Sequence, residues 1–444
     1  MKKDFLTFIL CFVFVFEISA QTKKFDWGKS EYTGRPWIEN TSRPNTITDG
    51  LNDRHFSIWS SHGRYYDVNK GYWKWQRPNL FGTTEDLYTQ TIVIPYLLPM
   101  LENAGAVVIS PRERDWQKQE VIVDNDNPKI TGIISYNEVN NKKKWETIEG
   151  SGFAYHQGTY ADGENPFIAG SARKIKSRKR NSKLSYVAYQ PNIPEDGDYA
   201  VYVSYKTIKK SVDDAEYIVF HKGQETHFRV NQQMGGGTWV YLGTFAFDKG
   251  CNIFNRVILT NHSKHRGVVT ADAVRFGGGM GNIARGGQIS GLPRALEGAR
   301  YYTQWAGAPR DVVSKSNGTN DYNDDINSRS LYTNWLAGGS SYIPKKEGLK
   351  VPIELVLAVH SDAGVKADGT TVGTLSICTT QQGNPTFGNG LSRRTSQTFA
   401  SQLITNAKRD IEYIFKKPWN TRGVKDANYS ETRLPDVPSS IIET

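Results

Sequence analysis

Two patterns of hydrophobic and polar positions alternate along this chain of 444 residues. In the first pattern, short continuous apolar runs, typical of strands buried on both faces, are separated by longer segments with helical spacing. Strands are predicted at residues 56–63, 106–109 and 355–359, of which the last two are continuously apolar, and the helical segments lie at 83–101, 293–305, 325–336 and 393–415. This alternation predicts an α/β domain.

The second pattern fills residues 126–284, where short alternating strands follow one another between turn residues such as the three glycines at 235–237. The predicted strands are 185–189, 199–205, 217–220, 226–230, 239–247, 256–259 and 268–276. Strands of this length and spacing predict an antiparallel β-sandwich. We therefore expect an α/β domain formed by residues 21–125 and 285–444, interrupted by an all-β sandwich insert at 126–284.

The first twenty residues have the organisation of an export signal. Two lysines precede an apolar core at 5–16, and small residues follow at 18–20. That core is too short to span a membrane, and no later apolar stretch is long enough. Residues 1–20 are therefore predicted to be a signal peptide of an exported protein, periplasmic or extracellular. Cys11 would leave with the signal, so only Cys251 and Cys378 could form a disulfide.

The net charge of +10 favours an anionic partner. For an exported protein the expected partner is peptidoglycan or another anionic cell-envelope glycan, and export argues against nucleic acid. Residues 173–183 contain seven lysines and arginines. Such a run is typical either of a solvated loop or of a contact with an anionic glycan.

Candidate chemistry lies at the ends of the predicted elements. His62 follows the first buried strand, Glu85 begins the first helix, and His360 ends a later strand. A lone histidine after a strand is more often a packed core or turn residue than a ligand. Two histidines and a carboxylate, however, are a ligand set of catalytic zinc, and a further carboxylate, for which Glu443 is the candidate, can transfer protons there. His55 is a weaker ligand candidate because it begins its strand and lacks a following glycine.

Several segments, in the order in which they occur, resemble the zinc-dependent N-acetylmuramoyl-L-alanine amidases of the Amidase_3 type. The similar segments are Ser61-His62-Gly63, Glu85-Asp86, 101–109 with Arg112 and Arg114, Asp325 and Arg329 with Asn334, His360-Ser361-Asp362, 421–425 and 437–443. Their joint order is more specific than any single match. Residues 235–243 and 269–276 resemble the golvesin C-terminal-like domain, a β-sandwich module.

The amidase resemblance implies a mixed sheet flanked by helices, with Zn²⁺ held by His62, Glu85 and His360. It implies Glu443 as the general acid and base, and Arg329 as a substrate-binding residue. The implied reaction is hydrolysis of the amide between N-acetylmuramic acid and L-alanine in peptidoglycan.

The chain departs from the family pattern in two places. Arg64 follows Gly63 where the family usually has a second glycine, and the longer path to Glu85 contains Trp73 and Trp75. We interpret these tryptophans either as a sugar-stacking wall, and so as substrate-binding residues, or as packing residues. The sequence also stops directly after the last predicted strand, so that strand is expected to fray and to support activity poorly.

Two further functions fit the sequence. One is a non-catalytic cell-wall or glycan-binding protein, in which a truncated amidase domain is a scaffold and the insert binds the ligand. The other is a zinc carboxypeptidase or a polysaccharide-degrading enzyme, which differs in the bond that it breaks.

Overall fold

The computed structural model describes residues 32–80, 82–126, 129–130, 133–361, 370 and 372–444. The predicted signal peptide and Asp362 lie outside these residues. The helices within them are α1 (Glu85–Tyr88), α2 (Gln90–Ile92), α3 (Leu98–Asn103), α4 (Ala299–Trp305), α5 (Arg310–Val313), α6 (Asp321–Ala337), α7 (Arg394–Phe415) and α8 (Ser430–Arg433). No helix of the described chain is long and apolar enough to cross a membrane.

The strands of the described chain are short, as the sequence pattern indicates. The first are β1 (Ile38–Asn40), β2 (His55–Ser60), β3 (Arg64–Asp67), β4 (Tyr72–Trp75), β5 (Val107–Ile109), β6 (Val121–Val123), β7 (Lys129–Ile130), β8 (Ile133–Ile134), β9 (Tyr136–Val139), β10 (Glu146–Gly152) and β11 (Gly170–Lys176). The others are β12 (Tyr186–Tyr189), β13 (Gly197–Val203), β14 (Ala215–His221), β15 (Gln224–Val230), β16 (Val240–Phe247), β17 (Arg256–Thr260), β18 (Val268–Ala271), β19 (Val274–Phe276), β20 (Leu355–His360), β21 (Thr374–Cys378), β22 (Thr421–Asp426) and β23 (Ser439–Glu443).

Six strands form a mixed sheet in the order β22-β21-β23-β20-β2-β5. Strands β5, β2, β20 and β23 are parallel, whereas β21 runs antiparallel to β23 and carries β22 beside it. One face of the sheet, with Leu357 and Val359, packs against Phe399 and Leu403 of α7, which are spaced by four as on one side of a helix. The other face belongs to a larger core that includes α6.

The helical segment predicted at 83–101 is broken into pieces. A π-helical turn, Val93–Leu97, separates α2 from α3. It contains Pro95, which has no N–H to continue an α-helical ladder, whereas Pro99 lies in the first turn of α3, where proline is tolerated. Thr84 occupies the N-cap position of α1, but its side chain makes no capping hydrogen bond. The first turn of α1 therefore gains no hydrogen bond from this side chain.

The β-sandwich consists of antiparallel sheets with the strand orders β1-β15-β14-β17-β12-β9, β16-β13-β19-β6 and β10-β11-β18. Strands β1 and β6 precede residue 126 but already pair with β15 and β19. Three-residue strands carry too little alternation for a sequence pattern to detect them. The strand predicted at 268–276 is in fact two strands, β18 and β19, that belong to different sheets.

The sandwich and the α/β domain share one hydrophobic core. Phe153 and Trp239 of the sandwich pack against Trp305 of α4, with ring centroids 6.0 and 6.3 Å apart. Asp162 of the sandwich forms ion pairs with Arg285, Arg300 and Arg310 of the α/β domain. The structure does not need a disulfide for this cohesion, and Cys251 and Cys378 are both free thiols.

Candidate metal centre

The carboxyl ends of two neighbouring parallel strands and the start of a helix meet at one end of the mixed sheet. His62 follows β2 by two residues, His360 is the last residue of β20, and Glu85 is the first residue of α1. The ligand atoms of these three buried side chains all lie within 4.8 Å of one another. The pairing of β2 with β20 explains this proximity, because neighbouring parallel strands end at the same edge of a sheet.

The cluster contains buried polar atoms that face one another. His62 Nδ1 lies 3.3 Å from Glu85 Oε2 and 3.3 Å from Asp86 Oδ1, and His360 Nδ1 lies 3.0 Å from Glu85 Oε1. Among the described residues, no partner forms a well-oriented hydrogen bond with His62 Nδ1, Glu85 Oε2 or Asp86 Oδ1. Two tetrahedral ligands of one zinc ion are about 3.3 Å apart. The donor set and its spacing therefore fit Zn²⁺.

Buried arginine and glycine residues fix the turn that carries His62. Arg112 Nη1 donates to Ser60 Oγ at 2.9 Å and to the carbonyl of His62, and its Nη2 donates to Glu297 O at 3.1 Å. A Cβ at Gly63 would lie 2.4 Å from that same Glu297 carbonyl. The glycine after the histidine is thus required because two segments of backbone touch there.

A second carboxylate holds the other ring nitrogen of His360. Glu431 of α8 places Oε2 at 2.9 Å from His360 Nε2. Its Oε1 accepts hydrogen bonds from Trp59 Nε1 at 2.5 Å and from Arg329 Nη1 at 2.9 Å. A histidine ligand whose second nitrogen faces a carboxylate is a common arrangement at metal sites. Sequence analysis missed Glu431, because no local pattern marks a four-residue helix that only packing brings to the site.

Arg329 does not have the predicted substrate-binding role. Its side chain is buried between Glu431 and Asp325, with which it forms ion pairs. The guanidinium therefore balances two buried carboxylates and has no access to a substrate. The prediction was wrong because a sequence match gives a residue's place on a helix but not the direction of its side chain.

The charges of the cluster stabilise one another. Burial alone would raise the pKa of Glu85, but its contacts with His360 and His62 outweigh burial and hold that pKa below its usual range. Burial would lower the pKa of His360, yet the carboxylates of Glu431 and Glu85 raise it to about 10. The pKa of Glu431, which burial would raise, is held below its usual range by His360 and Arg329. The carboxylates of Glu85 and Glu431 thus favour a positive charge between them, at His360.

Glu443 ends the strand next to His360. In the parallel pair of β20 and β23, His360 and Glu443 are in register, so their side chains leave the sheet on the same face. β23 also pairs with β21 on its other side, and Thr444 N donates to His360 O at 2.9 Å. The expectation that this strand frays is therefore wrong, because it lies inside the sheet and not at its edge.

The two predicted sugar-binding tryptophans differ in exposure. Trp73 is buried, its ring centroid lies 4.7 Å from that of Tyr301, and its Nε1 donates to Gln288 O at 3.3 Å. Trp73 is thus a packing residue, and its predicted contact with substrate is wrong. Trp75 is only half-buried, with the Arg64 guanidinium 5.7 Å from its ring centroid, and its role stays a prediction.

The residues that follow Trp75 border the cluster. Gln76 Nε2 donates to Asp325 Oδ2 at 2.7 Å, and Arg77 N donates to Asp86 Oδ2 at 3.1 Å. The guanidinium of Arg77, which is a quarter exposed, lies 3.5 Å from Glu85 Oε2. Arg77 is therefore a cation at the solvent side of the site, and no sequence signal pointed to it.

Comparison with known families identifies the sandwich. Residues 153–278 match the family described as the Golvesin C-terminal domain, which confirms the resemblance of this region. No family of amidases matches the chain, so the amidase resemblance stays a prediction.

Known relatives match parts of the chain. A xanthan lyase of Bacillus sp. (strain GL1) is 34% identical over 92 residues, which are 20% of this chain and 10% of the lyase. The solved structure of a Paenibacillus xanthan lyase is 24% identical over 36% of this chain and 13% of its own, with a TM-score of 0.27. A xylan-binding domain from CBM 22 is 8% identical over 38% of this chain and 95% of its own, with a TM-score of 0.18. TM-scores at this level do not establish a shared fold. The matched part of the chain spans about a tenth of the length of the Bacillus xanthan lyase.

Proposed function

We propose that the protein is an exported, zinc-dependent hydrolase of the cell envelope that cleaves the amide between N-acetylmuramic acid and L-alanine in peptidoglycan. The observation that supports a zinc site is the buried cluster of His62, Glu85 and His360, in which His62 Nδ1 and Glu85 Oε2 face each other without a well-oriented hydrogen bond. The resemblance of the surrounding segments to zinc amidases supports the choice of bond.

Each residue of the site has a distinct role in the proposed reaction. His62, Glu85 and His360 hold the ion, which when bound supplies a Lewis acid for the amide carbonyl and lowers the pKa of a water molecule. Glu431 orients His360 through Nε2. The Glu443 carboxylate takes a proton from the attacking water and passes it to the leaving nitrogen.

A glycan-binding function without catalysis is the alternative. The golvesin match and the xanthan lyase relative support a role with glycans, and neither requires an intact hydrolytic site in this chain. In that case the α/β domain is a scaffold for the sandwich. Analysis of the products distinguishes the two functions, because a binding protein releases none. It also distinguishes an amidase from an enzyme that cleaves the polysaccharide, because the broken bond differs.

The first experiment treats isolated muropeptides with the purified protein and measures its zinc content. We expect about one zinc ion per chain and the release of free stem peptides. Replacing the predicted acid and base, Glu443→Gln, should keep the zinc but lower turnover by about 10²–10⁴-fold. His360→Ala should lose both zinc and turnover.

A matched control is provided by a second group of side chains that could hold a cation, Asp213, Asp214 and His265 of the sandwich. His265→Ala should leave zinc content and turnover unchanged. A folded protein that binds no zinc would overturn the proposal. Binding of peptidoglycan with no new products would favour the glycan-binding alternative.

A further inference from the structure

We infer that one face of the β-sandwich is a binding surface for an acidic polysaccharide. Three segments form this surface, residues 142–144, 176–183 and 264–266, here called the basic face. Together they contain ten lysines and arginines and neither aspartate nor glutamate. They are far apart in sequence, and only the folded sandwich brings them together.

Two buried polar side chains connect the first two segments. Asn261 and Ser185 bond to each other, through Asn261 N to Ser185 O and Ser185 N to Asn261 Oδ1, both at 2.9 Å. Asn261 Nδ2 then donates to Lys176 O at 3.1 Å, and Ser185 Oγ donates to Lys143 O at 2.6 Å. Both residues are fully buried. The backbones of two basic segments are thus held by one hydrogen-bonded centre.

The third segment is attached to the second by direct hydrogen bonds. Ser177 Oγ donates to His265 O at 2.8 Å, and Ser177 N donates to Gly267 O at 3.0 Å. Ser263 N donates to Arg178 O at 3.2 Å. The basic run thus combines strand with exposed loop, and residues 179–183 are solvated as one interpretation of the sequence had it. It begins as strand β11 and continues as a segment anchored at several points.

The lysines and arginines of the basic face lie on backbone segments that hydrogen bonds hold together. Nine of the ten lysines and arginines are exposed, Arg178 being half-buried. Of the nearby acids, Glu138 pairs with Arg173 outside the face, whereas Asp213 pairs with His265 within it. Within the described ranges, none of the ten forms an ion pair with a carboxylate. Because like charges held together repel, a polyanion that lies across them is attracted.

The chemistry of the face favours a glycan over other polyanions. None of the exposed large hydrophobic side chains of the described chain belongs to it. It therefore lacks the aromatic platforms on which single-stranded nucleic acids stack and the apolar side chains that membrane-bound helices insert. A polysaccharide with repeated carboxylates can be bound by cationic side chains alone, provided that their positions are fixed. The predicted export signal also puts such polymers within reach.

The experiment compares the full chain with two triple variants of equal charge. The test variant is Lys143→Glu, Lys179→Glu and Arg180→Glu. The matched control is Lys345→Glu, Lys417→Glu and Lys425→Glu, at exposed lysines of the α/β domain. The probes are polygalacturonate, a regular carboxylate polymer, the neutral polymer dextran, and duplex DNA.

We expect the unchanged protein to bind polygalacturonate and not dextran, with an affinity that falls as salt is added. The test variant should lose affinity by about tenfold or more, whereas the control should change by less than about twofold. Equal losses in both variants would mean that net charge alone attracts the polymer and would overturn the inference. So would the absence of binding, or tighter binding to DNA than to polygalacturonate.

This inference does not rest on the zinc site. Thermal unfolding checks that the test variant is folded, and its zinc content and turnover should stay unchanged because the basic face lies in the sandwich. Failure of the proposed hydrolysis would therefore leave the binding result standing, and the reverse also holds.

Discussion

At the scale of single residues, His360 obtains a defined orientation from its neighbours. Its Nδ1 faces Glu85 and its Nε2 faces Glu431, whose other oxygen is bound by Trp59 and Arg329. The ring is therefore held from both sides in a buried position. A packed core histidine, the alternative that the sequence allowed, has no need of two carboxylates.

Glu431 is expected to strengthen zinc binding although it is not one of the three proposed ligands. Glu431→Gln keeps the size of the side chain but removes the charge that faces His360 Nε2. We expect zinc affinity, measured by competition with a chromophoric chelator, to fall by about 10–100-fold. The absorption bands of the cobalt-substituted protein should shift as well.

A control for this change is Glu138→Gln, which removes a carboxylate paired with Arg173 in the sandwich. It should leave zinc affinity and the cobalt spectrum unchanged. If Glu431→Gln binds zinc as tightly as the unchanged protein, Glu431 has only a packing role.

Asp124 is a second residue whose surroundings determine its behaviour. Its carboxylate is buried in the sandwich, and burial, followed by the charge of Asp126, raises its pKa from 3.8 to about 7. In the unfolded chain the group ionises near its ordinary value, so between these two values the folded state binds more protons. Folding stability therefore decreases as pH rises from about 4 to about 7.

Asp124→Asn should remove this part of the pH dependence. We expect the variant to be more stable than the unchanged protein at pH 8, by roughly 1–4 kcal/mol, and the difference to shrink towards pH 4. Chemical unfolding followed at several pH values measures both quantities. Asp126→Asn is a comparison at an exposed carboxylate. A constant difference between Asp124→Asn and the unchanged protein at all pH values would contradict the assignment.

At the scale of elements, α6 carries Asp325, Arg329 and Thr333 on the side that faces the sheet and the site. Its first turn is capped by Asn320, whose Oδ1 accepts a hydrogen bond from Asn323 N at 3.1 Å. The acids Asp321 and Asp324 near that end also suit the helix dipole. The helix that carries the buried ion pair of Asp325 and Arg329 thus begins with a side-chain cap of the usual kind.

Asn320→Ala should reduce the free energy of unfolding by about 1 kcal/mol, because the first turn loses its side-chain acceptor. Denaturant titration gives this value. Asn323→Ala is the matched control, since it leaves the backbone donor in place on an exposed position and should cost little. Equal losses in the two variants would show that the cap contributes nothing specific.

At the scale of the whole molecule, the sandwich is built into the α/β domain and not tethered to it. Phe153 and Trp239 of the sandwich pack against Trp305 of the α/β domain, and Asp162 of the sandwich forms ion pairs with three arginines of the α/β domain. β1, which precedes the α/β sheet in sequence, pairs with β15 of the sandwich. The domains therefore share a hydrophobic core, although the sequence showed two different patterns of apolar positions.

Much of the candidate site could be predicted from the ends of strands. His62 and His360 were proposed because each stands at the end of a predicted strand, and Glu85 because it begins a predicted helix. Glu431 and Arg77 could not be found in this way, because they lie on short elements without periodicity. The role of Arg329 was misjudged because helical spacing does not show which carboxylates a buried guanidinium meets.

The sequence by itself determined the local elements, since the period of apolar positions decides between strand and helix and a proline in the interior of a helix interrupts it. It also determined the supply of charge, including the basic segments. Tertiary structure alone decided which of these meet. Parallel pairing of β2, β20 and β23 brings three strand ends to one edge, and buried Asn261 and Ser185 join basic segments that are far apart in the chain. Long-range contacts of this kind have no local signature, because they depend on the packing of elements and not on the spacing within them.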